Sequence, residues 1–223
     1  MTLERNHIKL GEGIYTVPDL ALILQLPPSK VRRWLTDFYD QRLGGNKKRY
    51  SWGEGRDTGT NFLTLIEFYV FYKLRENRIS AGKILEAHKQ MSKELKTPYP
   101  FASHKLLVSK KEILYEVGGD TWVHADKSNQ IVIHKLIKEF VKKIDFSSDT
   151  LACRFWPLGK EHSIVVDPRH QFGQPVIQGT NVNATSVFSM YESNEPKSTI
   201  AILYDLTEEQ VNDAIAFCKR KVA

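Results

Sequence analysis

Two adjacent prolines, Pro27 and Pro28, separate two short segments that each have the apolar spacing of an α-helix. The segment before the prolines repeats apolar residues at i, i+3, i+4 and i+7: Val17, Leu20, Ala21 and Leu24. The segment after them has the same spacing: Val31, Trp34, Leu35 and Phe38. Because proline cannot continue a helix, this pattern predicts two amphipathic helices joined by a tight turn.

Local capping signals support both helices. Thr16 and Asp19 have the spacing of a capping box, and Pro18 suits a first helical turn. Ser29 is the expected N-cap of the second helix, which we expect to span Ser29 to Tyr39. Its polar face is expected to include Asp37 and Asp40.

A glycine-rich stretch follows, from residue 43 to residue 61. It contains the basic run Lys47 to Arg49 just before Tyr50, and the glycines preceding this run suggest a β-hairpin. Two helices and a basic hairpin are the layout of a winged helix-turn-helix. Two further helices are expected, from Phe62 to Asn77 and from Ser80 to about Lys96.

Positive charge is concentrated in the first half of the chain. The formal net charge is +6 in total; residues 1–98 hold 17 basic and 11 acidic residues, whereas residues 99–223 hold 15 of each. Between Lys30 and Arg56 there are eight basic residues and three acidic ones. This asymmetry suggests a polyanionic partner, and a merely solvated charged face is the alternative.

A helix fits the major groove of B-DNA, and arginine can donate two hydrogen bonds to guanine. Arg33 is therefore the strongest candidate for reading a base, and the hairpin lysines and arginine are expected to contact phosphates. Asp37 and Asp40 oppose this interpretation, and Asp37 could pair with Arg33 instead. The residues expected to bind double-stranded DNA are Ser29, Lys30, Arg32, Arg33, Thr36, Lys47, Lys48, Arg49 and Tyr50.

The rest of the chain predicts a mixed architecture. Strands are expected at residues 106–108, 112–117, 121–125, 151–156 and 163–166, and a helix from Ile133 to Ile144. Three helices follow in the tail: Ala184 to Ser193, Lys197 to Tyr204, and Glu208 to Lys221, the last capped by Thr207 with Gln210. The expected fold is α+β, mainly α, in three consecutive regions: 1–98, 99–166 and 167–223.

The N-terminal region resembles MerR-like regulators. The resemblance rests on Tyr15 to Ala21 and on Pro28-Ser29-Lys30-Val31-Arg32-Arg33-Trp34-Leu35. It implies a winged helix-turn-helix followed by a helical pair. Pro98 ends the second helix of that pair early, so the long dimerisation helix of MerR proteins is not expected here.

The tail carries a second resemblance, in Gly173-Gln174-Pro175-Val176-Ile177-Gln178-Gly179-Thr180-Asn181-Val182 and in Leu206 to Val211. It looks like a small bacterial helical family of unknown function whose pattern is G-x-P-[VI]-I-x-G-T-R. With the MerR-like start, the order resembles longer VapB-like antitoxins that accompany PIN-type ribonuclease toxins. Asn181 replaces the usual arginine. The residues expected to contact a partner or a second copy are Gly173, Pro175, Ile177, Gly179, Thr180 and Asn181.

Other function classes have little support in the sequence. No nucleotide-binding, serine-hydrolase or zinc-ligand motif occurs, so we expect no catalysis, no cofactor and no metal. His124 with Asp126 is at most a weak ligand pair. Asp145, Asp149 and Asp167 could imitate a nuclease cluster, although neighbouring serines and proline favour turns. Cys153 and Cys218 form no CxxC motif, no apolar run could span a bilayer, and no signal peptide is recognisable, which together predict a cytoplasmic protein.

These features predict a DNA-binding antitoxin that represses its own operon and neutralises a PIN-type ribonuclease toxin by direct binding. It is expected to act as a homodimer on an operator. The alternative is a MerR-like transcriptional regulator that senses a small molecule.

Overall fold

The computed structural model describes residues 11–45, 50–103, 122–123, 131–132, 140–148 and 151–219. The chain forms two compact units, of which the first combines Met1–Leu65 with Arg154–Ala223 and the second is Ile66–Cys153. This division differs from three consecutive regions, because the tail joins the N-terminal residues in one unit. The described residues are mainly helical and include small antiparallel sheets.

The first unit begins with strand β1, Tyr15–Thr16, and helix α1, Val17–Leu24. The expected capping box is present: Thr16 Oγ1 accepts from the amide of Asp19, and Asp19 Oδ2 accepts from the amide of Thr16 at 2.8 Å. Gln25 then takes a left-handed conformation with φ 56° and ends the helix. The expected capping box and the expected end of the helix before the two prolines are therefore confirmed.

Helix α2, Pro28–Arg33, continues without a break into a π-helical segment, Trp34–Leu43. The predicted N-cap at Ser29 is wrong, because the helix begins one residue earlier with Pro28 in the first turn, where a proline has no intrahelical N–H to lose. Val31, Trp34 and Leu35 are buried as expected. From residue 34 the winding changes, so Tyr39 and Asp40 turn inward and Phe38 is only half-buried.

A three-stranded antiparallel sheet follows, in the order β1-β3-β2, with β2 at Ser51–Trp52 and β3 at Gly59–Thr60. The hairpin β2–β3 pairs Ser51 with Thr60. Its turn comes after β2 and includes a 3-10 turn at Gly55–Asp57, whereas the sequence suggested a turn before this strand. Gly53 has φ +73°, and a β-carbon there would lie 2.3 Å from the carbonyl oxygen of Asp57, so only glycine fits this turn.

The C-terminal part of the first unit contains a second small sheet and three helices. Strands β8, Ile164–Val165, and β9, Val176–Ile177, pair antiparallel. The helices are α5, Ala184–Glu192; α6, Lys197–Tyr204; and α7, Glu208–Lys219. All three tail helices begin at the predicted residues, and the Thr207–Gln210 capping box is confirmed. Helix α5 ends one residue before the predicted Ser193, and the predicted end of α7 at Lys221 lies outside the described residues. Helix α7 packs against both α5 and α6.

Helix α3, Phe62–Glu76, begins in the first unit and continues into the second, where α4, Ala81–Leu95, follows it. Strands β4, Trp122–Val123, and β5, Ile131–Val132, pair antiparallel, and β6, Ile144–Phe146, pairs with β7, Ala152–Phe155. Ile144 therefore begins a strand instead of ending the expected helix. The strands expected at residues 106–108 and 112–117 lie outside the described residues.

A buried carboxylate organises the described part of the second unit. Glu67 of α3 is fully buried, and its Oε1 accepts the backbone N–H groups of Phe101 and Ala102 at 2.8 and 3.3 Å. Its Oε2 lies 2.9 Å from Nε2 of His88 in α4. This carboxylate thus joins α3, α4 and the segment after α4.

Among the helices that the structure describes, none combines the length and the apolar character that a membrane-spanning helix needs.

Candidate nucleic-acid interface

Three of the predicted DNA-binding residues share one exposed face of the helix that spans residues 28–43. Ser29, Arg33 and Thr36 are all exposed, and their spacing of four and three residues places them on the same side. The side chain of Arg33 makes no hydrogen bond or ion pair with any residue in the described part of the chain. The possible pair with Asp37 is not formed, since Asp37 Oδ1 accepts from Thr36 Oγ1 at 2.8 Å.

Two other candidates on this helix are engaged with the protein itself. Arg32 is exposed, but its Nη1 donates to the carbonyl oxygen of Gly55 in the hairpin turn at 3.0 Å. Lys30 is half-buried, with its Nζ 5.6 Å from the centre of the Trp34 ring. Arg33 is therefore the basic side chain of this face with the greatest freedom to meet a ligand.

Asp40 has a different place from the one expected. Instead of opposing a polyanion on the exposed face, it is buried, with 8% of its surface exposed. Its Oδ1 accepts the backbone N–H groups of Tyr50 and Ser51 at 2.7 and 3.1 Å, and its Oδ2 accepts from Ser51 Oγ at 2.5 Å. The carboxylate thus links the helix to the first strand of the hairpin, a role with no signal in the sequence.

The hairpin candidates have separate outcomes. Lys47, Lys48 and Arg49 lie outside the described residues. Tyr50 is buried, with 5% exposure, and its ring meets that of Tyr39 edge-on at a centroid distance of 5.1 Å. Because the Tyr50 side chain packs in the core beneath the hairpin, the prediction that it contacts DNA is corrected.

Half of the predicted partner residues in the tail are buried inside the first unit. Gly173, Pro175 and Ile177 are not exposed, and Ile177 has no accessible surface. Ile177 belongs to β9, and the carbonyl oxygen of Pro175 accepts from the amide of Ala184 at the start of α5. These three residues of the tail motif stabilise the local fold. The prediction that they contact a partner at the surface is therefore corrected.

The other three predicted partner residues, Gly179, Thr180 and Asn181, form a turn at the surface. Gly179 and Asn181 are exposed, and Gly179 has φ +78°. Thr180 Oγ1 donates to the carbonyl oxygen of Ile177 at 2.9 Å and accepts from the amide of Val182 at 3.0 Å. Gly179 and Asn181 therefore remain available to a partner, whereas the Thr180 hydroxyl is occupied within the turn.

The tail motif also contacts the N-terminal strand. Tyr15 has no exposed surface, and a β-carbon built on Gly173 would lie 2.0 Å from its hydroxyl oxygen. Ile14 donates its backbone N–H to the carbonyl oxygen of Phe172 at 3.0 Å. Burial raises the pKa of Tyr15 well above its usual value, and the carboxylates of Asp167 and Asp19 raise it further.

A second link joins the two halves of this unit. Gln25, in the turn between α1 and α2, donates from Nε2 to the carbonyl oxygen of Phe217 in α7 at 3.4 Å. Thus the turn between the N-terminal helices contacts the C-terminal helix, and the tail supports the helices that carry the candidate interface.

Sequence reasoning missed an apolar surface on α6. Ile202 and Leu203 are 82% and 61% exposed, although Ile200 and Ala201 beside them are buried. Five consecutive apolar residues, 200–204, run around the whole helix, and a helix that is apolar all round is one that other elements cover. That run was the available signal for a contact surface.

Asp167 and Cys218 are two titratable side chains that lie outside the candidate interface. No group of three or more histidine, cysteine or acidic side chains in the described ranges could hold a metal ion. Asp167, a member of the nuclease-like set, is paired with Arg154, whose Nε lies 2.9 Å from its Oδ2. Burial raises the pKa of Cys218 to about 12, so this thiol is protonated at neutral pH.

The chain is similar to known proteins both in its tail and over most of its length. Residues 164–218, which contain β8, β9 and helices α5–α7, match a family described as "Protein of unknown function (DUF433)". The chain is also 23% identical over 228 residues to a Mycobacterium tuberculosis (strain ATCC 25618 / H37Rv) protein named "Putative antitoxin VapB45", with 93% of this chain and 95% of the relative covered. These matches support a distant relationship with an antitoxin-like family.

The fold has a counterpart among solved structures. The X-ray crystal structure of Rv2018 from Mycobacterium tuberculosis superposes with a TM-score of 0.69, covering 90% of this chain and 96% of that chain at 21% identity. At this identity the likeness concerns the fold alone. It shows that the architecture extends over nearly the whole chain and is not limited to the DUF433 segment.

Proposed function

We propose that this protein is the DNA-binding antitoxin of a type II toxin–antitoxin pair. It represses its own operon from a double-stranded operator as a homodimer in the cytoplasm, and it neutralises a PIN-type ribonuclease toxin by direct binding. The observation that carries the DNA-binding part is the exposed Arg33, which has no hydrogen bond or ion pair within the described residues, on a helix that is followed by a hairpin. The relative named as an antitoxin supports the pairing with a toxin.

The proposed DNA contact follows the winged helix-turn-helix mode. The 28–43 helix enters the major groove with Ser29, Arg33 and Thr36 toward the base edges. Lys47, Lys48 and Arg49 contact phosphates from the hairpin side, which adds affinity and salt dependence without sequence information. Lys30 and Arg32 also contact the DNA in this proposal, although each already makes one contact within the protein. Tyr50 does not contact DNA and supports the hairpin from the core.

The proposed toxin contact is the exposed apolar surface of α6, Ile202 and Leu203. Large apolar side chains that lie side by side at the surface are typical of protein interaction sites. The exposed turn at Gly179 and Asn181 belongs to the same C-terminal part and is a second candidate contact. DNA binding and toxin binding thus use different surfaces of the first unit.

DNA binding is tested with duplex DNA from immediately upstream of the gene, compared with a scrambled duplex of equal length. Arg33→Ala should weaken operator binding by about 1–3 kcal/mol and reduce the preference over the scrambled duplex. The matched control is Arg75→Ala, since Arg75 donates to the Ile79 carbonyl within the second unit. Unchanged operator affinity in Arg33→Ala would show that this helix does not read the bases.

Toxin neutralisation is tested by co-expression with the neighbouring open reading frame. That frame should arrest growth when expressed alone, and the antitoxin should restore growth and co-purify with the toxin. Ile202→Asp with Leu203→Asp should abolish both effects. Phe172→Asp, which alters another exposed apolar side chain outside α6, is the control and should retain them. A neighbouring frame that is harmless would contradict the antitoxin role.

A further inference from the structure

The buried carboxylate of Asp40 is the clearest group in the candidate interface that the proposed contacts leave without a role. It accepts two consecutive backbone N–H groups, those of Tyr50 and Ser51, and also the hydroxyl of Ser51. Three donors on one carboxylate fix the beginning of β2 against the 28–43 helix. Hydrogen bonds to an ionised acceptor are about twice as strong as those between neutral groups.

The hairpin is held at other points as well. Thr60 Oγ1 on β3 donates to the carbonyl oxygen of Tyr50 at 2.7 Å, which joins the two strands at the place where Asp40 binds. At the far end of the hairpin, Arg32 Nη1 donates to the carbonyl oxygen of Gly55. The Arg32 contact is exposed to solvent and Asp40 is buried, so the hydrogen bonds of Asp40 hold the hairpin to the helix more strongly than that of Arg32 does.

We propose that Asp40 is a positioning residue for DNA binding, which holds the hairpin at a fixed place beside the 28–43 helix so that both reach one DNA duplex together. This inference rests on the proposed DNA-binding function. Asp40 does not touch DNA in this scheme, because its oxygens point to the hairpin backbone. It acts by fixing the position of β2, because it accepts the N–H groups of Ser51, the first residue of that strand, and of Tyr50 just before it.

The proposal predicts an effect opposite in sign to that of simple electrostatics. A carboxylate near a phosphate backbone repels it, so removing an acidic residue should strengthen DNA binding if charge alone mattered. Removing a positioning residue should weaken binding, because the hairpin no longer meets the DNA when the helix does. Asp37, on the same helix and hydrogen-bonded to its neighbour Thr36, is the matched acidic control.

The experiment measures affinity of the full chain for a random-sequence duplex of about 30 base pairs, roughly three helical turns. Salt is varied from about 50 to about 200 mM, because affinity falls with salt, and each lost phosphate contact makes the plot of log affinity against log salt less steep by about 0.9. Asp40→Ala should bind about tenfold more weakly, and its affinity should depend less steeply on salt. Asp37→Ala should bind as tightly as the unchanged chain or more tightly. Asp40→Asn keeps a carbonyl oxygen for the two N–H groups and should recover most of the affinity.

Amide hydrogen exchange on the same variants reports the hairpin directly. Asp40→Ala should speed exchange at Tyr50 and Ser51 while leaving α5 and α7 protected. If Asp40→Ala does not fold, Ser51→Ala decides the matter, because it removes the hydroxyl that donates to Asp40 Oδ2. Weaker binding by Ser51→Ala than by the unchanged chain supports the proposal, and equal binding overturns it.

The two ways of being wrong are distinguishable. If folded Asp40→Ala binds as tightly as the unchanged chain with the same salt slope, the positioning role is wrong and the DNA-binding function stands. If the unchanged chain does not bind the duplex at all, the proposed DNA-binding function and the positioning role are both overturned.

Discussion

The phenol of Tyr15 lies so close to Gly173 that a β-carbon at position 173 would stand 2.0 Å from the Tyr15 hydroxyl oxygen and 2.6 Å from the carbon bearing it. Gly13 contacts the same ring, with an added β-carbon 2.8 Å from it. One ring thus occupies the space left by two glycines, one in the N-terminal strand region and one in the tail motif. This contact explains why the first glycine of the tail motif is buried.

Gly173→Ala should destabilise the first unit. The added methyl group collides with Tyr15, and the backbone at Gly173 has φ +86°, which an L-residue adopts at a cost of about 1–2 kcal/mol. Overpacking adds about 1–3 kcal/mol, so we expect the free energy of unfolding to fall by about 2–5 kcal/mol in a urea titration. Gly82→Ala, in α4 with open space around its β-carbon, should instead gain about 0.5–1 kcal/mol.

Tyr15→Phe should stabilise the protein. The Tyr15 hydroxyl is buried and has no hydrogen-bond partner among the residues that the structure describes, and an unsatisfied buried polar group costs about 1–3 kcal/mol. Removing the oxygen also relieves the close approach to Gly173. We therefore expect a rise in the free energy of unfolding of about 1 kcal/mol, measured beside Tyr191→Phe, whose hydroxyl accepts from Lys219. A loss of stability in Tyr15→Phe would mean that the hydroxyl is satisfied in solution.

The stability of the protein should depend on Tyr15 at alkaline pH. Burial raises the folded-state pKa of Tyr15 above the unfolded value of about 10. The stabilisation from keeping this phenol neutral is therefore complete below pH about 10 and is lost as pH rises through the folded-state pKa. Between about pH 9.5 and 11, the free energy of unfolding should fall more steeply for the unchanged chain than for Tyr15→Phe.

Tyr191 provides a control of opposite sign for that titration. Its hydrogen bond from Lys219 lowers the pKa of Tyr191, and the Lys219 charge lowers it further. A lowered folded-state pKa contributes stability that is present above the unfolded value and lost as pH falls. Tyr191→Phe should therefore make the alkaline decline slightly steeper. Equal slopes in all three proteins would contradict both assignments.

Asp213→Ala should loosen α7 from the strand it supports. Asp213 Oδ2 accepts from the amide and hydroxyl of Ser163 at 2.7 and 2.9 Å, and its Oδ1 lies 2.7 Å from His162 Nδ1. Because Ser163 and His162 are only half-buried, water replaces part of what is lost, and we expect a decrease of about 1–3 kcal/mol in a denaturant titration. The neighbouring exposed Asn212→Ala should change stability by less than about 0.5 kcal/mol.

Local sequence signals determined the elements whose cause is local. The starts of α1, α6 and α7 were predictable because a capping box or a proline lies there, and α5 was predictable from the repeat of apolar residues within it. The exposed face of Ser29, Arg33 and Thr36 was also predictable, because it lies at the start of the helix, where residues four and three apart share a side. The similarity of the tail to a family of unknown function was visible in its spacing of glycine and proline.

Asp40 shows where that reasoning stops. Helical spacing of 3.6 residues places Asp40 on the solvent face with Asp37, but the segment from Trp34 winds with a longer hydrogen-bond step and brings Asp40 inward. The reason lies outside the helix, since two amides and a hydroxyl of the hairpin need an acceptor there. Tyr50 was misjudged for the same reason, because its position in a basic run says nothing about the Tyr39 ring beneath it.

The sequence by itself determined two helices around Pro27 and Pro28, a basic N-terminal half and a glycine–proline motif in the tail, because each depends on residues close together in the chain. Only the tertiary structure decided that the tail joins the N-terminal helices in one unit. It also decided that the ring of Tyr15 packs against Gly173 and that Asp40 accepts hydrogen bonds from the hairpin. These are contacts between residues far apart in the chain. Apolar periodicity specifies that a face is buried, and the packed structure alone specifies which residues cover it.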